Sequence, residues 1–200
     1  MATKGKTLVK AHRWARESNE HYVEPFWCSE RLFQEENFSP RVWDPCCGFG
    51  RIPIAAARAG LDVIGTDIAD RGFHMLASKQ DFLTTQRVLA GHIVCNPPFT
   101  IASRFALHAL SLDSVDKVAM IFPTARLNAA HWLCGTPLIR VWLMTPRPSM
   151  PPGHTIASGL KPGGGKVDFC WLVWERGYDG AAPELCWLRR DSKGGNDGSD

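Results

Sequence analysis

Nothing in this sequence approaches the ~20 consecutive apolar residues that span a bilayer. The opening residues, Met1-Ala-Thr-Lys-Gly-Lys, lack the apolar stretch of a secretory leader. Strong charge is lacking as well. The formal net charge is +3, which permits a polyanionic partner without demanding one. No Cys-x-x-Cys pair occurs, and seven cysteines is an odd number. That pattern argues against a disulfide framework and a zinc site. A reduced, cytoplasmic protein without metal or membrane is the expectation. Internal repeats are absent too.

What is present is a single domain's worth of chain, 200 residues with ordinary hydrophobic content. Residues 1–20 read as a basic arm, with Lys4, Lys6, Lys10, Arg13 and Arg16 and no acid before Glu17. Residues 21–176 read as the domain itself. Residues 177–200 read as an extension whose end (SKGGNDGSD) is too polar to bury itself and is expected to be disordered.

Within the domain, strand-like and helix-like segments alternate. Strands are expected at Arg41–Asp44, Asp62–Thr66, His92–Cys95, Lys117–Phe122, Leu138–Met144 and Val167–Trp174. Helices are expected at Gly50–Ala59, closed by Gly60, at Thr100–Leu110, and at Ala125–Cys134. Residues 68–90 carry no clear period. The alternation predicts an α/β fold with a mostly parallel sheet. The last two apolar runs have no helix between them, so an antiparallel strand is expected at the sheet edge. Trp171 and Trp174 are read as core residues on one shared strand face.

The chemistry concentrates at strand ends. Asp44-Pro45-Cys46-Cys47-Gly48-Phe49-Gly50 joins the first strand to the first helix. Its glycines allow a tight turn and close backbone approach to a ligand. Asp67 ends the second strand, 23 residues after Asp44. An acid there accepts hydrogen bonds from ribose hydroxyls in nucleotide-binding βαβ units. The dinucleotide fingerprint needs a third glycine, where this chain has Pro53. Asp44 would also repel a diphosphate but suits an amino group. Both points favour S-adenosylmethionine (SAM) over NAD.

Asn96-Pro97-Pro98-Phe99 follows the strand His92–Cys95. Two successive prolines cannot continue a sheet, so the tetrapeptide is held rigidly at the strand's carboxyl end. It offers acceptors beside an aromatic ring, which suits a planar substrate carrying an NH₂ group.

DPCCGFG, GTDI with Asp67, Asp81-Phe82-Leu83 and NPPF together resemble the class I SAM-dependent methyltransferases that modify exocyclic amino groups. More narrowly, they resemble the N6-adenine DNA methyltransferases, particularly small phage- or prophage-type members. The resemblance spans roughly residues 20–175 and implies a Rossmann-like fold, with SAM as donor and S-adenosylhomocysteine as product. It implies that Asp44, Pro45, Cys46, Gly48 and Gly50 cradle the methionyl part. Asp67 would hold the ribose and Ile68 would pack on the adenine ring. Asp81 and Phe82 would accept from and flank that ring, while Tyr22 and Pro25 would close the methionine end. Asn96, Pro97, Pro98 and Phe99 would be catalytic, with Phe99 stacking on the target base. The implied partner is nucleic acid, foremost double-stranded DNA with a flipped adenine.

Asn at the first motif position also fits adenine in RNA or a protein glutamine amide. Outside the enzymes, an inactive methyltransferase-like binding module is the alternative. Thr145–Lys166, rich in Pro and Gly, is read as a substrate loop carrying Arg147, His154, Lys161 and Lys166. Arg126 and Asn128 are placed near the same edge. Monomer and homodimer both remain open.

Overall fold

The computed structural model describes residues 21–38, 40–159, 164–179 and 182–191. The basic arm, Lys161 and the last nine residues lie outside these.

The chain folds as α1 (Phe26–Glu35), β1 (Arg41–Asp44), α2 (Arg51–Arg58), β2 (Asp62–Asp67), β3 (Leu76–Lys79), β4 (His92–Cys95), α3 (Ala102–Ser111), β5 (Lys117–Pro123), β6 (Leu138–Thr145), α4 (Gly153–Ala157), β7 (Phe169–Glu175) and β8 (Glu184–Arg189). Short 3₁₀ turns occupy Phe82–Thr84, Thr124–Ala129 and His131–Leu133. The strands form one eight-stranded sheet in the order β3-β2-β1-β4-β5-β7-β6-β8. The α/β, mostly parallel expectation holds.

β5 and β7 are apolar along nearly their whole length, and all but the exposed Glu175 is buried, as in strands covered on both faces. Along the strands, side chains alternate between two cores. Trp43, Ile93, Cys95 and Leu172 face α3; Val42, Val94, Ile121 and Val173 face α1 and α2. Both Trp171 and Trp174 are fully buried, but in opposite cores. They are three residues apart, and strand side chains alternate with period two, so a shared face is impossible.

The sheet also differs from expectation in detail. The antiparallel strand is β7, and it lies between β5 and β6 rather than at the edge. The true edge is β8, parallel to β6 and contributed by residues read from sequence as an extension. Only Leu188 of β8 is fully buried, which leaves little periodic signal. β3 was likewise silent, because three of its four residues are exposed. The helix expected at Ala125–Cys134 is instead two 3₁₀ turns. Their apolar residues Leu127, Trp132 and Leu133 pack on the core but none is fully buried.

Buried Glu36, just past α1, fastens this layer to the sheet. It accepts from Lys117 Nζ (3.0 Å), Trp142 Nε1 (2.9 Å) and Arg140 Nη1. Burial pushes its carboxyl up, but these three donors outweigh that and hold it below the usual range. Among the described residues no helix is long and apolar enough to cross a membrane.

The chain leaves β1 toward β2 on one side, while β4 pairs with β1 on the other. That reversal opens a crevice at the carboxyl ends of β1 and β4. The loop after Asp44 and the turn at Asn96 stand on its two sides.

Candidate active site

The glycine loop is held by its own acids. Asp44, at the end of β1, is 1% exposed, and its Oδ1 accepts from the Cys46 backbone N–H at 3.1 Å. Asp67 Oδ2 accepts from Gly48 N–H at 2.9 Å, and its Oδ1 accepts from Ala69 N–H at 2.9 Å. One carboxylate therefore ties the glycine loop to the end of β2. Each of its oxygens carries a second lone pair, so it keeps capacity for a ligand hydroxyl. Gly48 and Gly50 have φ of +52° and +81°. A Cβ at Gly50 would meet the Phe73 ring at 2.2 Å, and one at Gly48 would meet His21 at 2.5 Å. Only glycine fits at either position.

On the other side, Asn96 is clamped. Its Nδ2 donates to the Tyr22 carbonyl at 2.9 Å and to Glu24 Oε2 at 2.7 Å. Its Oδ1 is buried and has no partner. Because Tyr22 O is an acceptor only, the NH₂ must face that side and the oxygen must face away. A buried carbonyl without a donor is costly, on the order of 1–3 kcal/mol. It is an acceptor waiting for an N–H or O–H from a ligand.

Between the two sides lies a cavity of about 350 Å³, within the range of small-molecule sites. Its wall includes Glu24, Asp44 and Asp67. Burial pushes the Glu24 carboxyl up to about 7, although bonding to Asn96 and the nearby Arg51 pull it down. Asp44 is raised well above its ordinary value by burial, with Glu24 and Asp67 adding like-charge repulsion. The thiols of Cys46, Cys47 and Cys95 are all raised by burial first, with nearby carboxylates reinforcing it, so they stay neutral. An interior holding three carboxyl groups favours a cationic guest.

Of the residues singled out from sequence, Tyr22, Asp44, Pro45, Cys46, Gly48, Asp67, Ile68, Asp81, Phe82, Asn96 and Pro98 line this one cavity. Asp81 also caps the 3₁₀ turn after it, accepting from Leu83 N–H at 3.0 Å. Phe82 is buried with its ring edge-to-face against Trp43, centroids 5.2 Å apart. Gly50 sits behind the loop at the start of α2. Pro25 caps α1 and faces a second cavity of about 210 Å³, shared with Arg147. Pro97 and Phe99 do not line the main cavity. Phe99 stacks on Tyr22 (centroids 5.9 Å apart, planes 12° apart) and packs on Phe169 at 5.4 Å.

The substrate candidates scatter. Arg126 Nη1 donates to the Phe99 carbonyl at 3.0 Å, which puts it beside the tetrapeptide, and Asn128 shares its 3₁₀ turn. Arg147 pairs with Asp168. His154 lies in α4, and Lys166 is exposed. None of these five lines the main cavity. Instead, the segment after β6 braces the cavity wall. Val23 N–H donates to Pro151 O at 2.9 Å, and Gly153 N–H donates to His21 O at 2.8 Å.

Sequence reading missed several lining residues, chiefly Glu24, Arg51, Gln80, Ile101 and Phe105. Glu24 had a signal. It sits between Val23 and Pro25, and an acid in an apolar setting needs a partner.

No protein-family model matches the chain, and no curated protein is similar to it in sequence. Solved structures are similar in fold. One is the methyltransferase subunit of a type I restriction-modification system from Streptococcus thermophilus, at 11% identity and TM-score 0.56 over 88% of this chain and 48% of that one. Another is a putative RNA methyltransferase from Pyrococcus horikoshii, at 14% identity and TM-score 0.52 over 75% and 80% of the two chains. A third is a putative class I SAM-dependent methyltransferase from Listeria monocytogenes, at 12% identity and TM-score 0.51 over 82% and 62%. This chain spans about half the length of the restriction-modification subunit. What it shares with all three is the fold.

Proposed function

We propose that this chain is a SAM-dependent methyltransferase that methylates the exocyclic N6 amino group of adenine in DNA. The observation that carries the reading is the buried, unpartnered Asn96 Oδ1, on a residue that lines a cavity of a size that fits the cofactor. Three features support that fit: the cavity's size, the two glycines with no room for a Cβ, and the cluster of carboxyl groups. Asp67, Ile68, Asp81 and Phe82 would hold the adenosine end. Asp44, Cys46, Gly48 and Tyr22 would hold the methionyl end, with Arg51 close by for its carboxylate.

When bound, SAM supplies an electrophilic methyl group on a sulfonium. The protein's task is therefore to aim the acceptor. An adenine amino group is a weak nucleophile because its lone pair is delocalised into the ring. Asn96 Oδ1 and the Pro97 carbonyl would accept its two N–H groups, drawing the nitrogen toward tetrahedral geometry with its lone pair facing the donor. This is positional and electrostatic catalysis by acceptors fixed beforehand. The methylated nitrogen sheds its proton readily, so no strong base is required. Phe99 would stack on the base once Tyr22 or Phe169 yields that face.

Adenine in RNA is the second reading. The same acceptors serve it, and a putative RNA methyltransferase shares the fold over most of both chains. Incubation with methyl-labelled SAM and DNA, RNA or protein, followed by nucleoside and amino-acid analysis, separates the cases. N6-methyladenine from DNA is expected, with loss of label in Asn96→Ala. Label in RNA alone, or on glutamine, would refute the DNA assignment.

A further inference from the structure

We infer that Glu24 is a positioning residue for Asn96, its ionised carboxylate holding the amide with NH₂ engaged and Oδ1 left as the available acceptor. The inference rests on the methyltransferase reading for its functional consequence, but not for its geometry. Asn96 has two N–H bonds to place. The Tyr22 carbonyl takes one, at 2.9 Å, and Glu24 Oε2 takes the other, at 2.7 Å. Glu24 is 6% exposed, so water is a poor substitute for that acceptor. An ionised carboxylate only accepts, and its bond to the amide is charge-assisted. A protonated Glu24 carries an O–H. The Tyr22 carbonyl still keeps NH₂ on its side, but the bond to a neutral carboxyl loses its charge assistance, so the amide and its Oδ1 are held less firmly.

The surroundings place this choice within the working pH range. Burial raises Glu24 to about 7. Asp44 at the end of β1 repels it, and Arg51 at the start of α2 attracts it. Cys28 on α1 and Cys95 on β4 face it as neutral thiols. His21 shares its main cavity, and Arg190 shares the second one. Asn96 is held most firmly when the Glu24 proton is gone.

Two measurements test this. The first uses isotope-labelled protein alone, without substrate. The Glu24 carboxyl carbon and the Asn96 side-chain amide are followed by NMR against pH. Both are expected to titrate with one midpoint near 7, and the Asn96 transition is expected to vanish in Glu24→Gln. An Asn96 amide indifferent to the Glu24 midpoint overturns the inference. The second is single-turnover methyl transfer to adenine-containing duplex DNA. Below the midpoint the wild-type rate should fall by up to about tenfold in all and then level off. In Glu24→Gln that limb should disappear. A limb that persists in Glu24→Gln while SAM affinity collapses makes Glu24 a cofactor ligand and also overturns the inference. Coupled NMR titrations without any methyl transfer would refute the proposed reaction and leave the positioning role standing.

Discussion

Replacing Glu24 by Gln removes one proton-binding site from the interior while nearly conserving side-chain volume. The consequence for stability follows from the site alone. The Glu24 carboxyl moves from an ordinary 4.5 to about 7 on folding. A raised carboxyl means that the folded state binds the proton more tightly than the unfolded chain. Its stabilising contribution is fully present below the unfolded value and is lost as pH rises through the folded one. The whole shift corresponds to about 3 kcal/mol. Between about pH 5.5 and about pH 8.5 the wild type should lose roughly 2 kcal/mol from this group. Asp44, Glu36 and His92 also titrate or shift, but they are common to both proteins. The difference in unfolding free energy, wild type minus Glu24→Gln, therefore reports Glu24 together with its repulsion of Asp44. Urea unfolding at several pH values is the assay, and that difference should decline steadily as pH rises. A difference that stays flat, or that grows, refutes the assignment of a buried, proton-retaining Glu24.

Asn96→Ala should cut the single-turnover rate by about 100- to 1,000-fold, the usual loss for one fixed catalytic hydrogen-bonding group, while SAM affinity measured by calorimetry stays nearly unchanged. Comparable losses in rate and affinity would instead mark Asn96 as a cofactor ligand. Gly50→Ala forces a side chain into left-handed backbone at φ +81° and against Phe73. It should lower stability by at least about 1–2 kcal/mol in thermal unfolding and weaken SAM binding with it. Glu36→Gln leaves Lys117 and Arg140 without their shared carboxylate, though each keeps a second one in Glu175 or Glu184, and should cost about 1–3 kcal/mol at neutral pH. Because Glu36 is held below the usual range, its contribution is present above the ordinary carboxyl value and fades as pH falls through the lowered one. Unfolding curves of the two proteins should therefore converge in acid, and a gap that persists there would contradict that role.

The glycine loop, the acids at the ends of β1 and β2, and the tetrapeptide after β4 were legible because each is a local event. A strand ends at a proline pair, a tight turn needs positive φ, and a carboxylate closing an apolar run needs partners. These rules act within a few residues, and eleven of the residues they pointed to, directly or through the family resemblance, line one cavity. The faces of Trp171 and Trp174 were misread as shared, although an offset of three puts strand residues on opposite faces.

Other decisions belonged to the tertiary structure. β7 lies between β5 and β6, and β8 extends the edge, because strand order depends on which apolar faces can be covered together. No local pattern encodes that pairing. The segment read as a substrate loop also contributes Pro151 and Gly153 as a brace, through backbone bonds to residues far away in sequence. Asn96 could be named from its motif, but which way its amide turns could not. That is set by Tyr22 and Glu24, 74 and 72 residues away in sequence, whose acceptors draw the NH₂ and leave Oδ1 bare. The sequence by itself determined which groups stand at the strand ends, and the fold decided which of their atoms face a ligand, because hydrogen-bond direction depends on neighbours brought together only by folding.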